Sequence, residues 1–296
     1  MSPPPANSTE PTGRTVMRRM QPLFGTLGDI SVCAPAPLAE TGLRAAFAAM
    51  DTVQRKMSFH DPDSDLSRIN LHAWRRPVSV NPTTYRLLCL ARHMERKSDG
   101  LFNFTAGGRL VREGRLPDHG FRELDGACGW DAIELLPRLR VRLKRPLVLN
   151  LDGMARGFAV DAAVQALLAH GVTRGRVNAG GDLRLFGPEA TPVAMYEASG
   201  ATIPLGEWRN TAIATSSGML AIPDRRPLPV CLTSQNGCDG PACPHFNQCP
   251  RAWTILAGEA WRAEALTQVA SITPESARAG CIARLGGRLL TPDVMP

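Results

Sequence analysis

The sequence predicts an α+β fold: mixed β-sheets with flanking helices, in two closely joined lobes with a cleft between them. Three observations lead there. Residues 147–187 read strand, turn, helix, turn, strand. Leu43, Ala46, Phe47, Met50, Val53 and Met57 recur at helical spacing. Asn81-Pro82 opens another helix, an N-cap followed by proline in the first turn. A chain of 296 residues is long enough to bury a large core.

Taken in order, residues 1–14 are Pro-rich and polar and read as a disordered tail, with residues 15–296 as a single domain. Met17 to Ile30 reads as the first strand, and residues 38–57 as the first helix. Asp61, Asp63 and Asp65 imitate the opening of an EF-hand loop. Leu66 stands where glycine is required, however, and His72 where a bidentate Glu is required, so calcium is not expected. The segment reads instead as a turn in which Ser64 caps a short helix. The helix starting at Pro82 ends near Lys97, stopped by Asp99-Gly100, and Gly100 to Val111 reads as a strand with turn glycines.

In the central unit, Leu147 to Leu149 look like the end of a buried strand. Gly153 and Gly157 let the backbone approach something closely at a helix start. Val160, Ala163, Val164, Leu167 and Leu168 form the helix stripe, and Gly171 is its left-handed stop. A new strand at Arg176 breaks at once into Asn178-Ala-Gly180-Gly181-Asp182, a bare backbone suited to contact with a phosphate or a planar ring. Gly175 and Gly180 have P-loop spacing, yet Gly181 and Asp182 replace the Lys and Ser/Thr, and the helix precedes the loop. A nucleotide-hydrolysing P-loop is excluded. Residues 192–209 read as strands, and the serines before Gly218 do not match the Gly-x-Ser-x-Gly of a serine nucleophile.

Net charge is +7, carried mostly by arginines scattered singly. With only two Tyr and nine Phe and no basic run interleaved with aromatics, a nucleic-acid partner is not expected. No segment has the apolar length of a membrane-spanning helix. The N-terminus lacks a charged start followed by an apolar region, and carries no lipid-anchor cysteine, so a cytoplasmic location is the expectation. Cys231, Cys238, Cys243, His245 and Cys249 fall close together and offer soft ligands for a tetrahedral zinc. No Cys-x2-Cys pair is present and three prolines interrupt the stretch, so a loop of reduced thiols, a cysteine-rich insertion over about 231–250, stands beside the zinc reading. Cys33, Cys89, Cys128 and Cys281 read as small core residues.

Asn150-Leu-Asp152-Gly153-Met-Ala155-Arg156-Gly157-Phe158-Ala-Val-Asp161, followed by Asn178 to Asp182, resembles the paired signature of the FAD:protein FMN transferase (ApbE-like) family. Further likenesses lie at Met57 to Asn70, at Gly100-Leu101-Phe102-Asn103-Phe-Thr105, at Ser216-Ser217-Gly218, and at Ala263-Glu264-Ala-Leu-Thr267-Gln268. Together they cover roughly residues 17–225 and 253–293. The resemblance implies that FAD is cut at its diphosphate and FMN is transferred, with magnesium, to a Thr or Ser of an acceptor flavoprotein of a redox complex, releasing AMP.

It also implies a site in the cleft. Met57, Leu101, Phe102, Asn103, Asn150, Arg156, Asn178, Gly180, Gly181, Asp182, Ser216 and Ser217 would contact FAD. Gly153, Glu264 and Thr267 or Gln268 would bind the metal, with Glu264 and Arg156 catalytic. The sequence departs from the family at several of these positions. Asn150 and Asn103 stand where the family has Asp, Arg156 where it has Lys, Glu264 where it has Asp, and Asp152 where it has Gly. A His-x-x-Asp-Pro segment expected after the Ser-Gly turn is absent. Two other readings follow: an FAD-binding module without turnover, and a zinc-binding interaction protein on the same scaffold. By resemblance alone a periplasmic location is also open.

Overall fold

A computed structural model describes residues 7–9, 15–121, 129–196, 202–217 and 252–290. Its architecture is mixed α+β, with three sheets and flanking helices. The largest sheet has eight strands in the order β1 (Asn7–Thr9), β2 (Thr15–Leu23), β3 (Thr26–Ala34), β7 (Gly175–Ala179), β8 (Asp182–Phe186), β11 (Ala212–Ser217), β12 (Ala252–Ala257) and β13 (Gly287–Leu290). Every neighbouring pair is antiparallel.

Successive side chains of a strand point to opposite faces, and this alternation divides the core. Ile30, Val32, Val177, Ala212, Ala214 and Ile255 face the main core, under α1 (Ala36–Met57), α5 (Ala155–Ala169) and α6 (Ala260–Ile272). Ile213 and Leu256 face the other way, into a smaller cluster with Leu205 and Leu290. The antiparallel pair β9 (Thr191–Tyr196) and β10 (Thr202–Trp208) contributes Val193, Met195, Leu205 and Trp208 to that second cluster. The main core runs on without a break into a three-stranded sheet, β4 (Val78–Ser79), β6 (Arg140–Leu143) and β5 (Ile133–Leu136), with α2 (Asp65–His72) and α3 (Pro82–Lys97) beside it.

Several elements form where the sequence places them. Ser64 Oγ accepts the Ser67 N–H at 3.0 Å as the cap of α2, and Asn81 Oδ1 accepts the Thr83 N–H at 2.9 Å as the cap of α3. Asp65, inside the false calcium loop, accepts from the Asn81 N–H at 2.6 Å and the Thr84 hydroxyl at 2.7 Å, so its carboxylate ties α2 to the start of α3. Gly171 takes φ +78° after α5.

Other elements differ from the sequence reading. Met17 to Ile30 is a hairpin rather than one strand, because Phe24 and Gly25 both adopt left-handed φ, the turn that suits two twisted strands. Leu147 to Leu149 make one parallel bridge, Val148 to Ala106, and are otherwise held by Asn70, whose amide accepts the Leu149 N–H at 2.8 Å and donates to its carbonyl at 3.0 Å. Gly107 to Arg112 is a short helix, α4, where a strand was expected. Leu168 is 43 % exposed although it continues the stripe of α5. Cys33 and Cys281 are buried and Cys89 is half-buried, while Cys128 lies outside the described residues. A last helix, α7 (Glu275–Arg284), precedes β13. No helix among the described residues is long and apolar enough to cross a membrane.

Candidate functional site

The start of α5 is held by a carboxylate from another helix. None of α5's own flanking side chains caps it, and its first turn has no acid. Instead Glu264 of α6 accepts the Gly157 N–H through Oε2 at 2.8 Å, which places a carboxylate at the positive end of the helix. One turn later Asp161 does the same for α6. Its Oδ1 and Oδ2 accept the Ala260 and Trp261 N–H groups at 3.0 and 2.9 Å, and Arg184 of β8 pairs with it.

This interlock requires that Gly157 have no side chain. A methyl built there would lie 2.4 Å from the Ala260 carbonyl oxygen. Gly153 is under a different constraint: its methyl would land 1.3 Å from Gln268 Nε2, so the Gln268 amide lies directly over that backbone. Glu264 and Gln268 are one turn apart on α6 and share a face. Thr267 is used otherwise, its hydroxyl donating to the Glu264 carbonyl at 2.7 Å.

Arg156 joins this cluster to the β7–β8 turn. Its Nε donates to Asp182 Oδ2, and its Nη2 lies 3.7 Å from Glu264 Oε1. Asp182 is 1 % and Glu264 4 % exposed, while the Arg156 side chain is 35 % exposed. Burial raises the proton affinity of the Glu264 carboxyl well above its usual value, and the Asp182 charge adds to it against Arg156 and the Gly157 N–H. Burial likewise raises Asp182, with Arg156 opposing. Burial alone would make Arg156 easier to deprotonate, but Asp182 and Glu264 more than reverse that and fix its charge. Two buried carboxylates thus share one guanidinium.

The turn itself is formed by Gly180 at φ +57° and Gly181 at φ +100°, with the Gly181 N–H donating to Asn178 Oδ1 at 3.1 Å. Asn150 Oδ1 accepts the Asp152 N–H at 3.1 Å, and the Asn150 N–H donates to the Phe104 carbonyl at 2.8 Å. That bond brings the segment of Leu101, Phe102 and Asn103 alongside. Phe102 and Asn103 are buried, and Leu101 is half-buried. Met57 closes α1 within the core, 4 % exposed. Ser216 and Ser217 end β11, opposite Trp253 and Ala252 of β12. The roles of Asp161 and Arg184 had no marker in the sequence beyond Asp161 closing the first signature.

Among the described residues no group of three or more His, Cys, Asp or Glu side chains is placed to hold a metal ion. The described residues therefore give the zinc expectation no site, since a closed zinc site needs four such ligands. Cys231, Cys238, Cys243, His245 and Cys249 themselves lie outside the described residues. Magnesium needs fewer protein ligands, one or two carboxylates completed by carbonyls, waters and substrate phosphates. The Gly153 carbonyl, the Gln268 amide and the Glu264 carboxylate offer oxygens of that kind: Gln268 lies over the Gly153 backbone, and Glu264 stands one turn away on the same face of α6, at the Gly157 N–H. That donor set fits.

The fold matches those of solved flavin transferases. The chain superposes on the flavin transferase ApbE from Vibrio cholerae with a TM-score of 0.69 at 18 % identity, covering 94 % of this chain and 97 % of that one. For the apo form of the Pseudomonas stutzeri flavinyl transferase ApbE the TM-score is 0.72 at 17 % identity, with 94 % of each chain covered. The chain belongs to the ApbE family, whose model matches residues 24–221. It is 28 % identical over 187 residues to the FAD:protein FMN transferase of Treponema pallidum, covering 57 % of this chain and 51 % of that protein. With the enzyme of the same name from Chlamydia trachomatis it shares 29 % over 175 residues, covering 56 % and 55 %. The chain therefore spans about half the length of the curated relatives it matches.

Proposed function

We propose that this chain transfers FMN from FAD to a Thr or Ser hydroxyl of an acceptor flavoprotein, with release of AMP. The observation that carries this reading is the convergence of Arg156, Asp182, Glu264, Gly153 and Gln268, from α5, β8, α6 and the turn before α5, at the start of one helix. FAD would lie in a cleft between the large sheet and the three-stranded sheet. Its ring would be on the Met57, Leu101, Phe102 and Asn103 side, and its diphosphate at Arg156 and the Asn178–Asp182 turn.

In the reaction the acceptor oxygen attacks the phosphorus that carries riboflavin. The bond from that phosphorus to the bridging oxygen breaks, AMP leaves with that oxygen, and the hydroxyl proton passes to solvent or a base. Asp182 and Glu264 hold the Arg156 guanidinium in place, so that it would meet the diphosphate without reorganisation. Gly153, Glu264 and Gln268 would hold a magnesium ion, whose contribution is to neutralise charge on the diphosphate.

The test incubates the protein with FAD, magnesium and a Thr-bearing acceptor peptide and measures AMP. Glu264→Ala is expected to abolish AMP release while leaving some FAD binding, and Glu264→Asp to release AMP faster than the parent. Parental AMP release by Glu264→Ala would remove this residue from the site. The missing His-x-x-Asp-Pro segment favours a second reading, an FAD-binding module without turnover. That reading prevails if parent and Glu264→Asp both bind FAD and neither releases AMP.

A further inference from the structure

The basic residues are scattered along the sequence, but the fold gathers four of them around one cavity. His93 and Lys97 come from the last turns of α3, Arg262 from the first turn of α6, and Arg284 from the last turn of α7. Met94 and Leu285, both buried, and Gly286 complete the lining. Arg262 and Glu264 are two residues apart, hence about 200° apart around α6. The cavity thus opens on the other side of that helix from the candidate site, and none of the residues of that site lines it.

Arg262 is the fixed member of the group. Its Nε donates to Glu259 at 3.0 Å, its Nη1 donates to the Leu285 carbonyl at 3.3 Å, and its guanidinium carbon lies 4.8 Å from the centre of the Trp261 ring. Nη2 has no partner among the described residues. The other cations are in surplus. His93 and Lys97 make no hydrogen bond or ion pair with a described residue, and Arg284 reaches only the Cys281 sulfur, at 3.9 Å.

Cations near helix C-termini commonly serve the last carbonyls. Here the backbone already meets many of them. The Leu285 N–H donates to the Cys281 and Ile282 carbonyls, and the Gly286 N–H to that of Ala283. At the end of α3 the Ser98 and Gly100 N–H groups take the Met94 and Glu95 carbonyls. Glu259 is the one carboxylate paired with this group among the described residues. Lys97, Arg262 and Arg284 set against Glu259 leave two positive charges unbalanced. The volume, about 170 Å3, selects among anions. It falls below the roughly 300 Å3 at which pockets begin to enclose a whole organic ligand. At about 30 Å3 for each water, it has room for a phosphate group and a few waters.

We propose that this cavity binds a phosphate group, with Arg262 as the preset anchor and Lys97 and Arg284 closing on the anion from α3 and α7. Occupied, it ties the end of α3 to the α6–α7 pair. The assignment needs neither FAD nor the residues at the start of α5, so it stands or falls apart from the transferase reading.

The experiment titrates the full chain with inorganic phosphate by calorimetry, against sodium chloride at matched ionic strength. Charge-assisted hydrogen bonds from three cations set an expected Kd on the order of 1 mM. Lys97 and Arg284 are exposed, so Lys97→Gln/Arg284→Gln keeps the fold, checked by circular dichroism and Tm. It is expected to weaken phosphate at least tenfold while FAD binds as to the parent, which separates this cavity from phosphate held at Arg156. Phosphoserine is titrated alongside. Affinity equal to that of phosphate assigns the site to a phosphate carried on a larger molecule, and binding of inorganic phosphate alone assigns it to the free anion. A parent that binds phosphate no better than chloride, or a double variant that binds it like the parent, would overturn the assignment.

Discussion

Two glycines four residues apart make opposite predictions, and the pair separates site from scaffold. Gly153 is outside the left-handed region, so alanine there is compatible with the backbone. Its methyl would lie 1.3 Å from Gln268 Nε2, 2.2 Å from Cδ and 2.5 Å from Oε1. Ordinary contact is about 3.5 Å, so the amide must swing away by about 2 Å. That amide is the free end of a flexible side chain. The packing it gives up is offset by the gain of about 0.4–1 kcal/mol from restricting the unfolded chain, so stability should change by less than about 1 kcal/mol. At Gly157 the methyl meets backbone, 2.4 Å from Ala260 O and 2.8 Å from Trp261 N. Relief there requires α5 and α6 to part, which breaks the Gly157–Glu264 bond and strains both bonds to Asp161, at a cost of about 3 kcal/mol or more.

Thermal unfolding and FAD-dependent AMP release, measured side by side, distinguish the two. Gly153→Ala should unfold within a few degrees of the parent and lose about a hundredfold in AMP release, the equivalent of roughly 2.7 kcal/mol in the barrier. Gly157→Ala should unfold well below the parent. If Gly153→Ala unfolds as early as Gly157→Ala, Gly153 serves the fold. If it matches the parent in both measurements, the Gln268 amide does nothing at this position.

Two further variants follow from buried carboxylates. Burial, with help from Asp131 and against the Trp130 N–H, raises Glu95 from 4.5 to about 7, and one of its oxygens has no partner. Native Glu95 therefore holds its proton more tightly than the unfolded chain, a stabilisation complete below about pH 4.5 and lost by about pH 7, worth at most about 3 kcal/mol. Glu95→Gln should match the parent in Tm near pH 4.5 and exceed it at pH 8, and an equal gap at both values would disprove the buried acid. Asp161→Asn should turn an amide NH2 towards one of the two N–H groups of α6 and leave Arg184 unpaired, at about 2–4 kcal/mol. A Tm within a degree of the parent would show that α6 needs no cap from α5.

The limits of the sequence reading follow from what local pattern can encode. The helix at 36–57 was legible because one continuous face of it is buried, and the helix at 82–97 because Asn81-Pro82 caps it within two residues. Leu147 to Leu149 misled because an apolar run states burial without stating a partner, and here the partner is a side chain, Asn70. At Gly107 the decision was made elsewhere in the chain: a methyl there would meet the Val148 carbonyl at 2.8 Å, a fact with no trace in residues 100–111. The site divides in the same way. Arg156, Asp182, Glu264 and Gln268 stood in recognisable motifs, and the fold brings them together. Asp161 stood at the end of one motif without a role, because an aspartate in the second turn of a helix reads as a solvated residue. Its function depends on α6 starting 99 residues later with two N–H groups aimed at it. Spacing along α5 cannot express that; only burial beneath the first turn of α6 makes this carboxylate a cap, and through the α5–α6 interlock it helps fix where Glu264 can reach.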